Sequence, residues 1–279
     1  MNNIHVVLDS TSQIPAEMLA AHKNLHKVSL KIRVADREWN EDELSYPQLF
    51  IELDKAGVMP MTSQPPIGDF VELFQGLVDE GAQVIVITVS GALSGTVEGA
   101  KVAARSVDPE KIHVLDSQTA DLGALKMAEM ALQMIADGCD VAKIMQALRD
   151  RVRATHTLLL PDSLEHLHKG GRIGGAATLI GTILQIKPVL HLCEGKIAIL
   201  DKVITRKRAI NRLIDELSKC EHLDYIGIVH VGVTEDCIEM EKRVKELYPY
   251  TTVSLTETGS AIAAHTGPNA LALIYQEKL

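Results

Sequence analysis

The sequence predicts an α/β protein in two units, a mostly parallel sheet with flanking helices over residues 1–160 and a smaller C-terminal α/β unit over residues 161–279. Three observations carry this reading. The chain has 279 residues, closer to two domains of ordinary size than to one. Short β-branched runs alternate with segments of helical period through its first half. Around Pro161 that rhythm gives way to a glycine-rich segment and a hairpin pattern.

The first run, residues 4–8, ends in Asp9-Ser10-Thr11-Ser12, after which Pro15 can occupy the first turn of a helix reaching Leu19. Further strand-like runs occupy 83–89, 111–115 and 155–160, with helical patterns over 96–105, 122–136 and 141–153. Alternation of this kind makes a parallel sheet covered on both faces. Past Pro161 come a helical stretch, the segment Lys169-Gly170-Gly171-Arg172-Ile173-Gly174-Gly175, and two apolar runs, 186–192 and 197–200, that flank Glu194-Gly195 as a hairpin. Thr205 can cap a helix whose apolar positions are Ile210, Leu213, Ile214 and Leu217, and Thr234 another with Cys237, Met240, Val244 and Leu247. Strands at 225–230, 252–255 and 271–275 complete the second unit.

Composition excludes several functions. With 28 basic and 37 acidic residues the net charge is -9, so no basic field holds a nucleic acid or an anionic membrane surface. Cys139, Cys193, Cys220 and Cys237 are scattered without CxxC pairs and read as reduced thiols. The N-terminus has no secretory pattern and no run approaches the length of a membrane span, so a cytoplasmic protein without membrane insertion is expected. Aromatic residues are only 3%, which makes any ligand pocket aliphatic rather than a stacking platform.

Ligands of open α/β sheets bind beyond the carboxyl ends of the strands, and small hydroxyl residues follow most strands here. Ser90-Gly91-Ala92-Leu93-Ser94-Gly95-Thr96 could cap a helix or donate to a small anion, and the two roles are compatible. Asp9-Ser10-Thr11-Ser12 and Asp116-Ser117 read as Asx-turn and cap chemistry. Thr62-Ser63-Gln64-Pro65-Pro66 is expected to be a proline-stiffened loop, its hydroxyls either turn residues or ligand donors. Thr205-Arg206-Lys207-Arg208 sets three cations against the positive end of a helix dipole, an arrangement that a nearby anion would relieve and that a solvated face would also accommodate. His265 is expected in a loop ahead of Thr266-Gly267-Pro268. Walker A, GxGxxG, HExxH and GxSxG patterns are all missing, and His166 and His168 lie on different helix faces, so no metal site is expected.

In chain order, Asp9-Ser10-Thr11-Ser12, Thr62-Ser63-Gln64-Pro65, Leu93-Ser94-Gly95-Thr96, Asp116-Ser117, Lys169-Gly170-Gly171-Arg172-Ile173-Gly174, Thr205-Arg206-Lys207-Arg208-Ala209 and His265-Thr266-Gly267-Pro268 form a series that resembles the DegV family of bacterial fatty-acid-binding proteins over nearly the whole chain. The resemblance implies a two-domain DegV-like fold that buries one long-chain fatty acid between its domains, with the carboxyl group near their junction. Members of the FakB type present this acid to a separate ATP-dependent fatty acid kinase, which makes an acyl phosphate for phospholipid synthesis. A lipid-binding carrier subunit is therefore implied rather than an enzyme, and no cofactor or metal. By position, Thr62, Ser94 and His265 would hold the carboxylate, with Ser63, Gly95 and Thr266 as secondary residues. Arg206 would serve the phosphorylated product or the kinase encounter, and Arg172 would join the same basic rim. The chain departs from the family pattern at Gly91, where a serine is frequent, and at Asn269, where a glycine is; Gly91 removes a polar contact.

Burying about 15 methylenes at about 0.8 kcal/mol each gives an upper bound near 12 kcal/mol, enough to retain such a ligand. A buried carboxylate needs donors or a cation, and chain preference would depend on lining residues that the sequence leaves unassigned, including the apolar stretch 179–190. Two other classes stay open: a Ser94/His265 acyl hydrolase, and a lipid-binding regulator without a kinase.

Overall fold

A computed structural model describes residues 3–180 and 186–279. The expected apolar stretch 179–190 therefore lies partly outside the described residues. Strand β1 (Ile4–Asp9) is followed by a short 3-10 turn at Ser10–Ser12, helix α1 (Ala16–Ala21) and β2 (Leu25–Val28). Residues 31–63, where the sequence pattern gives no element, fold as β3 (Lys31–Val34), β4 (Arg37–Asn40), α2 (Tyr46–Ala56) and β5 (Met61–Ser63). Then come α3 (Ile67–Asp79), β6 (Gln83–Thr88), α4 (Thr96–Val107), β7 (Ile112–Asp116), α5 (Leu122–Ala136) and α6 (Val141–Arg153).

β1, β2, β6 and β7 form the expected parallel sheet, in the order β2-β1-β6-β7. Successive side chains of a strand point to opposite faces, and here both faces are apolar. Val6, Leu8, Ile85 and Ile87 pack against α5 and α6, while Val7, Val84 and Val86 pack against Phe70, Phe74, Ala100 and Ala103 of α3 and α4.

The second half supplies β8 (Thr155–Leu160), α7 (Glu165–Lys169), β9 (Lys187–Cys193), β10 (Lys196–Val203), α8 (Arg206–Leu217), β11 (Leu223–His230), α9 (Glu235–Leu247), β12 (Thr252–Glu257), α10 (Ser260–Thr266) and β13 (Leu271–Glu277). Its strands make a six-stranded sheet in the order β10-β9-β8-β13-β11-β12, in which only β11 and β12 run parallel. β8 belongs to this sheet, between β9 and β13, rather than to the run of strands before it. Alternation of strands and helices along a chain does not specify which sheet each strand joins; two consecutive helices, α5 and α6, carry the chain away from β7 before β8 begins.

One face of the six-stranded sheet is covered by Leu213 and Leu217 of α8 and Met240 and Val244 of α9. Thr205 caps α8 as expected, its side chain accepting from Arg208 N, whereas Thr234 stands at the start of α9 without a side-chain capping bond. The other face turns toward the parallel sheet, where Tyr225, Val229 and Ile274 share a core with α5. β4, β3 and β5 form a separate three-stranded antiparallel sheet, packed through Leu30, Ile32 and Val34 against Ala261 and Ala264 of α10.

The hairpin tip Glu194-Gly195 joins the two halves. Both residues have positive φ, 49° and 75°, as a tight hairpin turn requires. Ser90 Oγ donates to Gly195 O at 2.8 Å. A Cβ on Gly195 would stand 2.3 Å from that hydroxyl, so this approach is open only to glycine.

Candidate functional site

A cavity of about 110 Å3 opens between the carboxyl ends of the parallel strands and the inner face of the six-stranded sheet. The strand register builds its aliphatic wall: Leu159 lies beside Ala272, Ala272 beside Val229, and Thr157 beside Ile274. These residues share the face left free of α8 and α9. Leu93, Leu167, Leu192 and Ile197 continue the apolar lining. At the half-exposed end stand Thr62, Ser94, Arg172 and His265.

Thr62 is carried by β5 rather than by a loop. The strand has three residues, too few to show a period, and its alternation turns Thr62 inward while Ser63 is exposed and does not line the cavity. His265 likewise lies in the last turn of a helix, α10, and not in the loop expected for it. The helix ends at Gly267, whose φ of 79° turns the chain away. His265 Nε2 and Thr62 Oγ1 are 2.6 Å apart. Burial first, then the charges of Arg172 and His166, lower the His265 pKa to about 4, so the imidazole is neutral near pH 7. Its Nδ1 is buried and has no hydrogen-bond partner among the described residues.

Ser94 lies in the turn after β6, its amide bonded to Ser90 O at 3.1 Å. Its hydroxyl shares a hydrogen bond with Thr96 Oγ1 at 2.8 Å, and the capping position of α4 is Gly95. Gly95 does not line the cavity; its missing side chain makes room for Gln64, whose Oε1 would lie 2.0 Å from an added Cβ. Gln64 thereby seats the Thr62 strand against the Ser94 turn. Gly91 is used in a similar way by Asp116, whose carboxylate accepts from Gly91 N at 3.1 Å. Thr266 lines the cavity, but its hydroxyl donates to Ile262 O at 3.0 Å.

Arg172 is the one cation among the described lining residues. Its Nε donates to Leu93 O at 3.0 Å and Nη1 to Gly170 O at 2.6 Å, so two backbone carbonyls hold the guanidinium at the mouth. Arg206, by contrast, does not line the cavity. It binds Asp236 Oδ2 through Nε at 2.7 Å and Asn269 O through Nη1 at 3.0 Å, and Asp236 is the anion that relieves its place in the first turn of α8. No group of three or more potential metal ligands occurs among the described residues, and His166 is engaged with Ala264 O at 3.0 Å.

Several residues of the site were not foreshadowed. Leu30, Thr157 and Asp121 line the cavity, and Glu41 supports it from behind. Glu41 Oε2 accepts from Ser10 Oγ at 2.5 Å and Oε1 from Ala261 N at 3.1 Å, which fastens α10 to the end of β1. Burial, reinforced by the charges of Asp9 and Asp121, raises the Glu41 pKa to about 7 against the opposing pull of its hydrogen bonds. No signal marks Glu41 within the acidic run 41–43. Among the described residues no helix is long and apolar enough to cross a membrane.

Fold and site together define an α/β protein with an internal aliphatic chamber whose mouth presents hydroxyl, imidazole and guanidinium groups. The chain belongs to the DegV family: the model of that family, described as "Uncharacterised protein, DegV family", matches residues 3–278. Protein DegV of Bacillus subtilis is 32% identical over 98% of this chain and 99% of its own length. Among solved structures, one described as showing fatty acid binding of a DegV family protein from Thermus thermophilus superposes with a TM-score of 0.91 at 27% identity, over 99% of this chain and all of that one. DegV of Bacillus subtilis, described as a fatty acid binding protein, superposes with a TM-score of 0.89 at 31% identity over the full length of both chains.

Proposed function

We propose that this protein binds one long-chain fatty acid in the aliphatic chamber and presents its carboxylate to an ATP-dependent fatty acid kinase for acyl phosphate formation. The observation that carries the reading is the chamber's polarity: leucine, isoleucine, valine and alanine walls end at a half-exposed cluster of Thr62, Ser94, Arg172 and His265. Hydrocarbon is favoured inside by the apolar area it removes from water. A carboxylate at the mouth meets hydroxyl donors and one guanidinium, the partners that a desolvated anion needs. The neutral His265 donates through one ring nitrogen and accepts through the other, and an arriving carboxylate favours its protonated form. The relatives described as fatty acid binding, from Thermus thermophilus and Bacillus subtilis, support the same ligand class.

In this reading the protein is a carrier and the chemistry belongs to the kinase. Arg206, outside the chamber and paired with Asp236, has its role at the surface that the kinase or the phosphorylated product meets. The geometry favours a carrier over a Ser94/His265 hydrolase. A serine nucleophile needs its base within hydrogen-bond reach, whereas His265 Nε2 is bonded to Thr62 and Ser94 Oγ to Thr96.

Mass spectrometry of the purified protein under native and then denaturing conditions, with organic extraction of the released material, tests the assignment. A mass excess of one long-chain fatty acid is expected; a protein that is empty and takes up no added acid would refute it. Ser94→Ala is expected to weaken acid retention or kinase turnover with the fold intact, and unchanged values for both would remove Ser94 from the site. Recovery of a kinase in pull-downs from native cytosol separates the carrier from a regulator that binds lipid alone.

A further inference from the structure

The chamber is not apolar throughout its depth. Besides the half-exposed cluster at the mouth, its lining includes the buried polar residues Thr11, Asp121 and Thr157, only 1%, 2% and 9% exposed. Two of these are satisfied within the protein: Thr11 Oγ1 donates to Asp9 Oδ1 at 2.5 Å, and Thr157 Oγ1 pairs with Thr119 Oγ1 at 2.7 Å. Asp121 is only half satisfied. Its Oδ2 accepts from Thr258 Oγ1 at 2.5 Å, while Oδ1, with only the neighbouring Leu122 amide near the carboxyl, is buried without a well-aligned hydrogen-bond partner among the described residues.

Ordinary structural duties do not account for this carboxyl. Asp121 precedes α5, yet its side chain makes no capping bond to that helix. Its backbone, at φ 53° and ψ -130°, lies in a region that residues with a side chain enter only when their surroundings hold them there. An unpaired polar oxygen in an apolar wall is costly, and a methylene chain lying against it would leave that cost in place.

We propose that the acyl chain this chamber selects carries a hydroxyl group along its buried length, away from its carboxylate, and that Asp121 recognises it. The inference rests on the carrier reading above and names the ligand class within it. A hydroxyl suits this position better than other oxygen functions. Burial raises the Asp121 pKa to about 7, so the carboxyl is present in both protonation states near neutrality. A hydroxyl donates to the ionised form and accepts from the protonated one. A ketone serves only the protonated form, and a second carboxylate is repelled by the ionised form. Asp121 is thus a specificity-determining residue inside the chamber, distinct from the groups that hold the carboxylate.

Competition between palmitic acid and hydroxypalmitic acids, with the hydroxyl placed on successive carbons from the fifth to the end of the chain, tests the proposal by mass spectrometry of the loaded protein. The wild type is expected to take at least one of these isomers tenfold or more in preference to palmitic acid. It is expected to show no such gain for 2-hydroxypalmitic acid, whose hydroxyl stays at the mouth. Asp121→Leu, which still accepts palmitic acid, is expected to reverse the preference, and Asp121→Asn, which both donates and accepts, to retain it. Palmitic acid bound as well as or better than every isomer by the wild type would overturn the hydroxyl proposal and leave the carrier reading standing. Uptake of none of these acids would overturn both. Should Asp121→Leu fail to fold, the wild-type competition alone decides.

Discussion

Replacing Glu41 by Gln is expected to abolish a pH dependence of stability that one buried carboxyl imposes on the fold. Glu41 is 4% exposed and ties Ser10 to Ala261, so its ionisation is felt where β1, the 41–43 turn and α10 meet. In the folded protein burial holds its pKa at about 7, against an ordinary value of 4.5. The folded state therefore keeps its proton over a pH range in which the unfolded chain has released it. With more protons bound to the folded state, stability falls as pH rises between about 4.5 and 7, and this contribution is flat on either side. At about 1.4 kcal/mol per pH unit, the full span is worth roughly 3 kcal/mol. Gln does not titrate. Its stability relative to wild type should therefore rise by about 2 to 3 kcal/mol on going from about pH 5 to about pH 8. Any fixed cost of altered hydrogen bonding to Ser10 and Ala261 is the same at both pH values and cancels, as do the titrations of groups that do not interact with Glu41; Asp9 and Asp121, whose charges act on it, contribute only the smaller part of its shift. Urea unfolding of both proteins at the two pH values measures this double difference, provided the slopes agree. A stability difference independent of pH would refute the reasoning, since it would mean that Glu41 ionises in the folded protein as it does in the unfolded chain.

Two further outcomes follow from the site. Gly170→Ala places a Cβ 2.4 Å from His265 Nδ1 and 2.8 Å from His166 O; overpacking of this kind costs about 1 to 3 kcal/mol, and displacement of His265 should lower fatty acid affinity by roughly an order of magnitude in a titration, whereas unchanged affinity would show that the position of His265 is immaterial. Arg206→Ala removes a residue that does not line the chamber, so fatty acid affinity should stay within about a factor of two, because changes at sites without shared partners are close to independent, while kinase-coupled acyl phosphate formation falls; lost affinity would instead place Arg206 among the carboxylate's partners.

How much of this was legible in the sequence differs from element to element. Helices α5 and α6 were readable to their end residues, because fifteen and thirteen residues give several turns of helical period. β6 and β7 were readable as apolar runs since both faces of their sheet are buried. The hairpin β9-β10 announced itself through Glu194-Gly195, where backbone geometry limits the choice of residue. β3, β4 and β5 were not readable: strands of three or four residues show too few alternations to stand out. β5 also runs into Pro65-Pro66, which favours a loop reading. His265 was placed in a loop because Gly267-Pro268 lies so close that the seven residues of α10 have little room to declare themselves.

The sequence by itself determined the α/β class, the parallel sheet of the first half, the aliphatic character of any pocket, and which hydroxyl, imidazole and guanidinium groups were worth following. These are local properties: period, turn chemistry and side-chain type are written in neighbouring residues. Only the tertiary structure decided that β8 joins the second sheet, that Thr62 and His265 meet across 203 residues of chain at 2.6 Å, that Arg172 faces the chamber while Arg206 is committed to Asp236, and that Glu41 and Asp121 are buried carboxyls. Burial, and with it a pKa or an unmet hydrogen bond, is set by what packs around a group from distant parts of the chain. An aspartate ahead of a helix reads as a cap in any sequence; here the sheet packed over it turns Asp121 into a buried group that lines the chamber.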